Sequence, residues 1–310
     1  MKQLPNIITL LNLFLGCIAI VYVLQPGLVP LYNSNDLTLI PDVTDLGTQY
    51  VSIPEQMFMA SLFIGLAAVV DFFDGFVARW MNATSAMGLQ LDSLADVVSF
   101  GVAPSLIIYQ FLRLSFAQQE NGLDINTFFL LPAFIVACAG AYRLARFNLD
   151  TTQTNYFKGL PIPANGLLVA SFPLIYWTNN YAIVTDILIS PWFWYALIII
   201  LSWLMVSKKP MLALKFSGIS MKKIIPLIII IVAIIISMIF FNKWITIGLS
   251  IFLPILSLLA SDNNLKKIFP FALIFTIAII SAFFIQWLAV PLCFLVYVIL
   301  SLLNKQSSSL

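Results

Sequence analysis

Apolar segments of membrane-spanning length recur along this chain and limit its fold more than any other feature. A helix needs about 20 apolar residues to cross the roughly 30 Å hydrocarbon layer of a bilayer. Hydrophobic residues make up 61% of the chain, and ten segments approach that length. We predict spans near residues 5–25, 57–79, 88–114, 127–149, 163–178, 188–207, 223–241, 244–260, 268–285 and 287–303. The sequence therefore predicts an all-α, polytopic integral membrane helical bundle.

The positions of the basic residues predict how these spans are oriented. With ten spans and a cytoplasmic N-terminus, 13 of the 15 Lys and Arg residues fall on the cytoplasmic side. Basic residues in loops favour that side of a membrane. We therefore predict a protein of the cytoplasmic (inner) membrane with both ends inside. The first apolar segment carries Asn6, Thr9 and Asn12, which favours a retained span over a cleaved signal.

Rare and absent residue types exclude several kinds of site. The chain has no histidine, which excludes histidine bases, histidine metal ligands and Ser–His nucleophile pairs. Its three cysteines lie far apart in apolar segments and show no disulfide or zinc pattern. Only 9% of the residues are charged, so an acid within an apolar segment is a candidate functional group.

The polarity of the predicted spans changes at Lys208. Before this residue, Asp, Arg, Asn and Gly stand at particular places in the spans, whereas the later spans contain almost no polar residue. We predict a six-helix functional module in residues 1–207 and an appended bundle of about four hydrophobic spans in residues 208–310. The role of the appended bundle is not indicated, and the long loop of residues 26–56 is assigned no site.

Four carboxylates lie at the facing ends of the second and third predicted spans. They are Asp71, Asp74, Asp92 and Asp96. Their spacings of three and four residues place each pair on one face of a helix, and two adjacent antiparallel helices would join the pairs in one pocket. Four neighbouring negative charges need cations in order to stay ionised together. Oxygen ligands favour Mg²⁺ or Mn²⁺, and their number suits two ions.

The spacing of these acids resembles the signature of the CDP-alcohol phosphotransferases. The signature D-x-x-D-G-x-x-A-R-x8-G-x-x-x-D-x-x-x-D matches at all eight fixed positions, from Asp71 to Asp96. Four further segments resemble the CDP-diacylglycerol–serine O-phosphatidyltransferases within that family: residues 4–16, 91–105, 143–148 and 157–164. The last four predicted spans add nothing to the resemblance.

The small residues and the arginine of the signature suit a site for the CDP-lipid. Gly75 and Ala78 lack bulk, so a flat base and phosphates could approach the helix backbone. Arg79 offers a planar fork for phosphate oxygens. Gly88 lies one turn before Asp92, where the second and third helices could approach closely. Taken alone, the small residues would serve equally as helix-packing positions.

The resemblance implies a reaction and roles for the acids. The phosphatidyl group of CDP-diacylglycerol would pass to the hydroxyl of L-serine, which attacks the lipid-side phosphorus and yields phosphatidylserine and CMP. All four acids, Asp96 included, would bind two Mg²⁺ or Mn²⁺ ions, and Asp96 would also act as the general base. The resemblance further implies contact with membrane lipids, a homodimer and no nucleic acid partner. The orientation predicted from the basic residues places the four acids, and with them the active site, at the cytoplasmic edge of the membrane.

Four further polar residues are candidates for the acceptor side of the site. They are Arg143, Arg146, Lys158 and Asn12. The resemblance favours an anion pocket that holds the serine carboxylate or a lipid phosphate. The basic residues alone would serve equally as membrane-edge anchors, and Asn12 as a polar contact between helices.

Two alternatives remain open from the residues. The acceptor could be another alcohol, such as glycerol phosphate, inositol phosphate or choline. From a different class, the four acids could form the cation pathway of a transporter, since intramembrane acids mark ion routes. Against a transporter, the acids cluster at one membrane edge and the chain shows no inverted repeat. An inactive homologue is disfavoured by the intact signature.

Overall fold

The structure is a computed structural model in which the described residues fall into two compact units. The described residues are 4–25, 28–30, 50–52, 56–81, 85–119, 125–150, 157–178, 182–211, 276 and 286–303. One unit comprises Met1–Thr152 and Gly159–Lys208, and the other comprises Gln153–Lys158 and Lys209–Leu310. The four acids belong to the first unit.

The first unit is built from eight helices and one short strand pair among its described residues. The helices are α1 (Leu4–Leu24), α2 (Met57–Trp80), α3 (Ala86–Asp96), α4 (Ala103–Ala117), α5 (Ile135–Leu149), α6 (Ile162–Thr178), α7 (Ala182–Ile189) and α8 (Pro191–Val206). A π-helical turn, Val97–Val102, joins α3 to α4, and two 3₁₀ turns, Thr127–Phe129 and Leu131–Phe134, precede α5. Strands β1 (Leu28–Pro30) and β2 (Tyr50–Ser52) pair in antiparallel fashion within the segment predicted as a long loop.

The second unit is described over three short stretches and one isolated residue. Strand β3 (Phe157–Lys158) pairs with β4 (Pro210–Met211), and a 3₁₀ turn, Gln286–Leu288, leads into helix α9 (Ala289–Leu303). Helix α9 coincides with the tenth predicted span. The predicted spans at 223–241, 244–260 and 268–285 lie outside the described residues, apart from residue 276. The count of ten spans and the appended bundle therefore stay predictions.

Four helical segments of the first unit are long and apolar enough to cross a membrane. They are Leu4–Leu24, Met57–Gly75, Ala86–Ala117 and Thr127–Leu149. Helices α7 and α8 qualify together as one further span, bent by 72° at the Ser190–Pro191 step. These segments confirm the predicted polytopic helical membrane fold.

The two faces of α1 show how a helix of this kind is partitioned. Ile7, Phe14 and Val21 are exposed and seven residues apart, whereas Thr9 and Asn12 are buried. In water this arrangement would expose a large apolar stripe and bury polar groups. In a bilayer the apolar stripe faces lipid chains, and polar groups gain hydrogen bonds by turning toward neighbouring helices. The partition is therefore the one that a lipid environment favours.

The π-helical turn lies at the centre of the first unit and begins immediately after Asp96. The backbone N–H of Ala103 donates to the carbonyl of Val98, which is the five-residue step of a π-helix. Two helices approach this turn where they carry glycine. A Cβ atom on Gly16 of α1 would lie 2.9 Å from Cα of Ser99, and one on Gly166 of α6 would lie 2.9 Å from Cβ of Phe100. Close packing on both sides fixes the turn and, with it, the position of Asp96.

Two glycine-to-alanine substitutions provide a test of this packing. We expect Gly16→Ala to lower the free energy of unfolding by about 1–3 kcal/mol, because the added methyl group must displace the backbone of the π-helical turn. Gly65→Ala on α2 is the matched control, since nothing lies within 4 Å of its added Cβ. We expect it to be neutral or slightly stabilising. Melting temperatures in detergent measure both, and equal values would contradict the close approach of α1.

Candidate active site

The four acids are positioned by helices α2 and α3 and by the N-cap of α3. Asp71 and Asp74 lie near the C-terminal end of α2, and Asp92 and Asp96 lie in the second half of α3. Ser85 caps α3, because its extended backbone lets its hydroxyl oxygen accept the N–H of Gly88 at 3.0 Å. This cap fixes the first residue of α3 and thereby sets which face of the helix carries the two acids.

The structure brings all four acids together. Carboxylate oxygens of Asp71, Asp74 and Asp92 lie within 4.8 Å of one another. The side chain of Asp96 is in hydrogen-bonding contact with that of Asp71. Asp74 and Asp96 are 6% and 7% exposed, so little water screens the charges. The acids repel one another at this separation, and a cation between them would remove that repulsion.

The donor set fits a divalent metal ion. Ligand oxygens about 2.1 Å from Mg²⁺ lie up to about 4.2 Å apart across the ion, so small side-chain adjustments suffice to close the site. Asp96 lies outside this group of three acids, and its Oδ1 is buried and has no hydrogen-bond partner within the described part of the chain. Within that part, only oxygen ligands meet at this point. The site is therefore suited to a hard cation, whose identity the donors alone do not settle.

A cleft of about 520 Å³ opens beside the acids, between α1, α2 and α3. Its lining comprises Pro5, Asn6, Thr9, Asp74, Gly75, Ala78, Ser85, Ala86, Gly88, Leu89 and Asp92. Three of the predicted CDP-lipid residues, Gly75, Ala78 and Gly88, thus line the same cleft as the two acids Asp74 and Asp92. A Cβ on Gly88 would lie 3.1 Å from Oδ1 of Asn6, so glycine at this position keeps α1 and α3 close at the cleft, whereas the sequence predicted a close approach of α2 and α3 there.

Two basic residues that were predicted to belong to the site, Arg79 and Lys158, have side chains that the structure does not describe. Arg79 lies on α2, and only its backbone is described. Lys158 lies on strand β3 of the second unit, where its side chain is likewise outside the description. The roles predicted for both residues therefore stay predictions.

The paired arginines of α5 have different surroundings. The guanidinium of Arg146 donates to the carbonyl oxygens of Val206 at 2.7 Å and Ser207 at 3.1 Å, at the C-terminal end of α8. These carbonyls have no partner within their own helix, so Arg146 acts as a side-chain cap. Arg143, one turn earlier, is 5% exposed. The end of α5 also reaches α3, because Asn148 Nδ2 donates to Oγ of Ser93 at 2.9 Å.

Gly159 and Leu160 meet the same end of α8. The N–H of Leu160 donates to the carbonyl of Leu204 at 3.0 Å. Gly159 has φ +80°, and a Cβ there would lie 2.8 Å from the carbonyl oxygen of Ser207. Only glycine combines this backbone conformation with such a close approach. Two segments that the sequence marked for the acceptor side thus also hold α8 in place.

Ser85 and Ser93 also build the site but were not predicted from the sequence, and Thr9 was noted on the first span without its partner. Thr9 contacts Asp74, with Oγ1 donating to Oδ2 at 2.8 Å. Ser85 caps α3, and Ser93 connects α3 to α5. A serine immediately before a helical segment is a recognised N-cap signal and could have identified Ser85. No local signal indicates the Thr9 contact, because the two partners are 65 residues apart.

Comparison with known proteins agrees with this site. The family model described as CDP-alcohol phosphatidyltransferase matches residues 2–192, which include all four acids. The chain is 41% identical over 128 residues to a CDP-diacylglycerol–serine O-phosphatidyltransferase of Helicobacter pylori strain J99, covering 41% of this chain and 49% of that protein.

Two other relatives extend the comparison. The enzyme of the same name from Bacillus subtilis strain 168 is 39% identical over 121 residues, covering 36% of this chain and 60% of the relative. An archaetidylserine synthase of Methanothermobacter thermautotrophicus is 34% identical over 126 residues, covering 40% and 50%. The chain thus spans about half the length of the curated relatives it matches. Because the family model covers more than half of its residues, the chain belongs to the CDP-alcohol phosphatidyltransferase family.

Proposed function

We propose that this protein transfers the phosphatidyl group of CDP-diacylglycerol to the hydroxyl of L-serine and releases CMP. The observation that carries the proposal is the meeting of three carboxylates beside a cleft that is lined by small residues. The activities for which these relatives are named support serine as the acceptor. The chain would therefore act as a CDP-diacylglycerol–serine O-phosphatidyltransferase.

The cleft suits the nucleotide end of the donor. Its volume of about 520 Å³ lies within the usual range of small-molecule sites, about 300–1,000 Å³. Gly75, Ala78 and Gly88 would let the cytosine and the diphosphate lie against the helix backbones. Arg79, on the same helix as Asp74, would hold a phosphate oxygen pair through its planar guanidinium. The two acyl chains would remain among the lipids that surround the exposed apolar faces.

Asp71, Asp74 and Asp92 would hold Mg²⁺ or Mn²⁺, and two ions with the help of Asp96. Bound divalent ions would neutralise the diphosphate and the charge that develops on the departing CMP. The residues themselves fix where that charge compensation occurs: α2 provides two ligands and α3 provides one or two. The oxygen spacing supports this assignment, as does the buried Oδ1 of Asp96, which has no hydrogen-bond partner among the described residues.

Asp96 would act as the general base. Its burial and its position one turn beyond Asp92 support this role, since a base must lie within hydrogen-bonding reach of the attacking hydroxyl. As the serine oxygen forms its bond to the lipid-side phosphorus, the bond from phosphorus to the CMP oxygen breaks. The hydroxyl proton passes to Asp96. Positioning next to the ligand acids would supply much of its effectiveness.

Arg143 and Asn12 would lie on the acceptor side. Arg143 is buried on α5, whose end contacts α3 next to the acids. Asn12 is fully buried on α1, and neither amide atom has a hydrogen-bond partner among the described residues. The contacts of Arg146 support a structural role for that residue, and Lys158 stays a prediction for the anion pocket.

Replacing Arg143 by alanine tests the acceptor side. We expect the KM for serine to rise about 10- to 100-fold, the value of one charge-assisted hydrogen bond, with a much smaller change for CDP-diacylglycerol. Steady-state CMP release at varied serine and varied lipid measures both constants, and a melting temperature confirms that the variant is folded. A larger change for the lipid would place Arg143 at the donor site instead.

The site would face the cytoplasm at the edge of the inner membrane, where a lipid donor and a polar amino acid can meet. The distribution of basic residues supports this orientation. A cysteine introduced at the exposed Gln90 would then react with a membrane-impermeant maleimide in inside-out vesicles. Reaction in right-side-out vesicles alone would reverse the orientation. A homodimer remains an expectation, and the mass of the purified protein in detergent tests it.

The function itself is tested by an assay of the purified protein with a panel of acceptors. CDP-diacylglycerol and Mg²⁺ or Mn²⁺ are supplied with serine, glycerol 3-phosphate, inositol phosphate, choline or no acceptor, and CMP is measured. We expect CMP only with serine. Release with a different acceptor would keep the family chemistry and replace the substrate. No release with any acceptor would favour the transporter or the inactive homologue.

A further inference from the structure

We propose that Thr9 is a positioning residue that orients Asp74 toward the cation, so that α1 is a third component of the metal centre. Oγ1 of Thr9 donates to Oδ2 of Asp74 at 2.8 Å. The two side chains are 4% and 6% exposed, so water does not compete effectively for this hydrogen bond. The inference rests on the proposed metal site but is independent of which alcohol is the acceptor.

The position of Thr9 relative to Asp74 is set by the packing of α1. One contact of α1 is with α3, and the other is with the π-helical turn. On one side of Thr9, the side chain of Asn6 lies against Gly88. On the other, Gly16 packs against Ser99, and Oγ of Ser99 donates to the carbonyl of Asn12 at 3.0 Å. Thr9 lies between these two contacts, so α1 cannot slide along α3 without breaking one of them. Helix packing therefore places the hydroxyl of Thr9 within hydrogen-bonding distance of Asp74.

The hydrogen bond restricts how Asp74 can present its oxygens. A carboxylate offers two oxygens with about four lone-pair directions, and Thr9 occupies one of them on Oδ2. With one direction fixed, the side chain is held in the orientation in which one of its oxygens lies within 4.8 Å of oxygens of Asp71 and Asp92. Partners that hold a ligand in this way contribute measurably to metal affinity in proteins.

The hydroxyl of Thr9 is not needed for the integrity of α1. The carbonyl oxygen of Pro5 lies 3.1 Å from the same Oγ1, at the i−4 position that serine and threonine often use within helices. The single hydroxyl proton can serve one acceptor at a time, and an ionised carboxylate is the stronger acceptor. Removing the hydroxyl therefore affects Asp74 and leaves the backbone hydrogen bonds of the helix in place.

Metal binding without substrates provides the test. The affinity of the full-length protein for Mn²⁺ is measured by electron paramagnetic resonance of the free ion. We expect Thr9→Val, which keeps the shape and removes the hydroxyl, to weaken Mn²⁺ binding about 10- to 100-fold. Thr9→Ser should restore affinity to near that of the unmodified protein. The matched control is Ser61→Ala on α2, which removes a buried hydroxyl that donates to the carbonyl of Met57 and should leave Mn²⁺ affinity unchanged.

The outcomes separate this inference from the proposed function. Unchanged Mn²⁺ affinity in a folded Thr9→Val variant would overturn the positioning role. A loss of affinity that Thr9→Ser fails to restore would also overturn it, since the effect would then come from packing. If Thr9→Val does not fold, Thr9→Ala compared with Thr9→Ser gives the same test. An unmodified protein that binds no Mn²⁺ would overturn the metal site and this inference together, whereas an unexpected acceptor would overturn only the substrate.

Discussion

Replacing Asp96 by asparagine is expected to reduce serine-dependent CMP release by about 10²- to 10⁴-fold, the usual contribution of a positioned general base. Asparagine has nearly the same shape but cannot take up a proton. The variant should remain folded, because an amide at this position can still donate to Asp71, the neighbour that Asp96 contacts in the structure. Binding of the CDP-lipid should persist, since Asp96 is not among the residues that line the cleft.

Two measurements on the same variant distinguish its two proposed roles. If Asp96 is only the base, Mn²⁺ affinity should match that of the unmodified protein while turnover falls. If Asp96 is also a ligand, affinity and turnover should fall together. Asp186→Asn, which changes an exposed acid on α7, is the control for the loss of one negative charge. Turnover of Asp96→Asn at the rate of this control would refute the base assignment.

The acid cluster could be predicted because its geometry is local to two helices. Asp71 with Asp74 and Asp92 with Asp96 share helix faces through their spacing alone, and the short connection between α2 and α3 keeps the facing ends of these helices close in the chain. The structure adds that carboxylate oxygens of three of the four acids, Asp71, Asp74 and Asp92, lie within 4.8 Å of one another. The positions of Gly75, Ala78 and Gly88 follow from the same two helices, which is why they reach the cleft together.

The contributions of α1, α5 and α8 could not be predicted, because they depend on helix packing across long stretches of sequence. The polar residues of α1 suggested a site residue but not the bond from Thr9 to Asp74. Arg143 and Arg146 are three residues apart, yet the second reaches a helix end 60 residues away in the chain. The π-helical turn after Asp96 also lacks a periodic signature, since its apolar residues continue the pattern of the flanking helices.

One span boundary differs from the sequence prediction for a local reason. The span predicted near 188–207 starts three residues before α8, and the structure has a separate helix, α7, that ends at Ile189 and meets α8 at 72°. Pro191 begins α8 at its first position, where the missing N–H costs nothing and the ring sets a helical φ. The preceding residue, Ser190, is extended, as proline requires of its neighbour. A hydropathy profile does not reveal this break between the helices, because apolar residues continue through it.

Replacing Asp92 by asparagine is expected to have opposite effects on the metal-free and the metal-bound protein. Asp92 is the acid through which α3 joins the cluster of α2, and it repels Asp71 and Asp74. Removing its charge relieves that repulsion, so the melting temperature without divalent ions should rise or stay level. Removing a ligand weakens the cation site, so CMP release should fall by at least about 10³-fold, comparable to the loss of a principal electrostatic group.

The stabilisation that Mn²⁺ gives to the fold measures the second effect directly. A ligand at 100 times its Kd stabilises the protein to which it binds by about 2.7 kcal/mol, and a ligand far below its Kd stabilises it by almost nothing. At a Mn²⁺ concentration that raises the melting temperature of the unmodified protein, Asp92→Asn should show little or no rise. Asp186→Asn should respond like the unmodified protein. An equal rise in the Asp92 variant would mean that α3 does not contribute to the cation site, and the acids of α2 would then have to hold the ion without it.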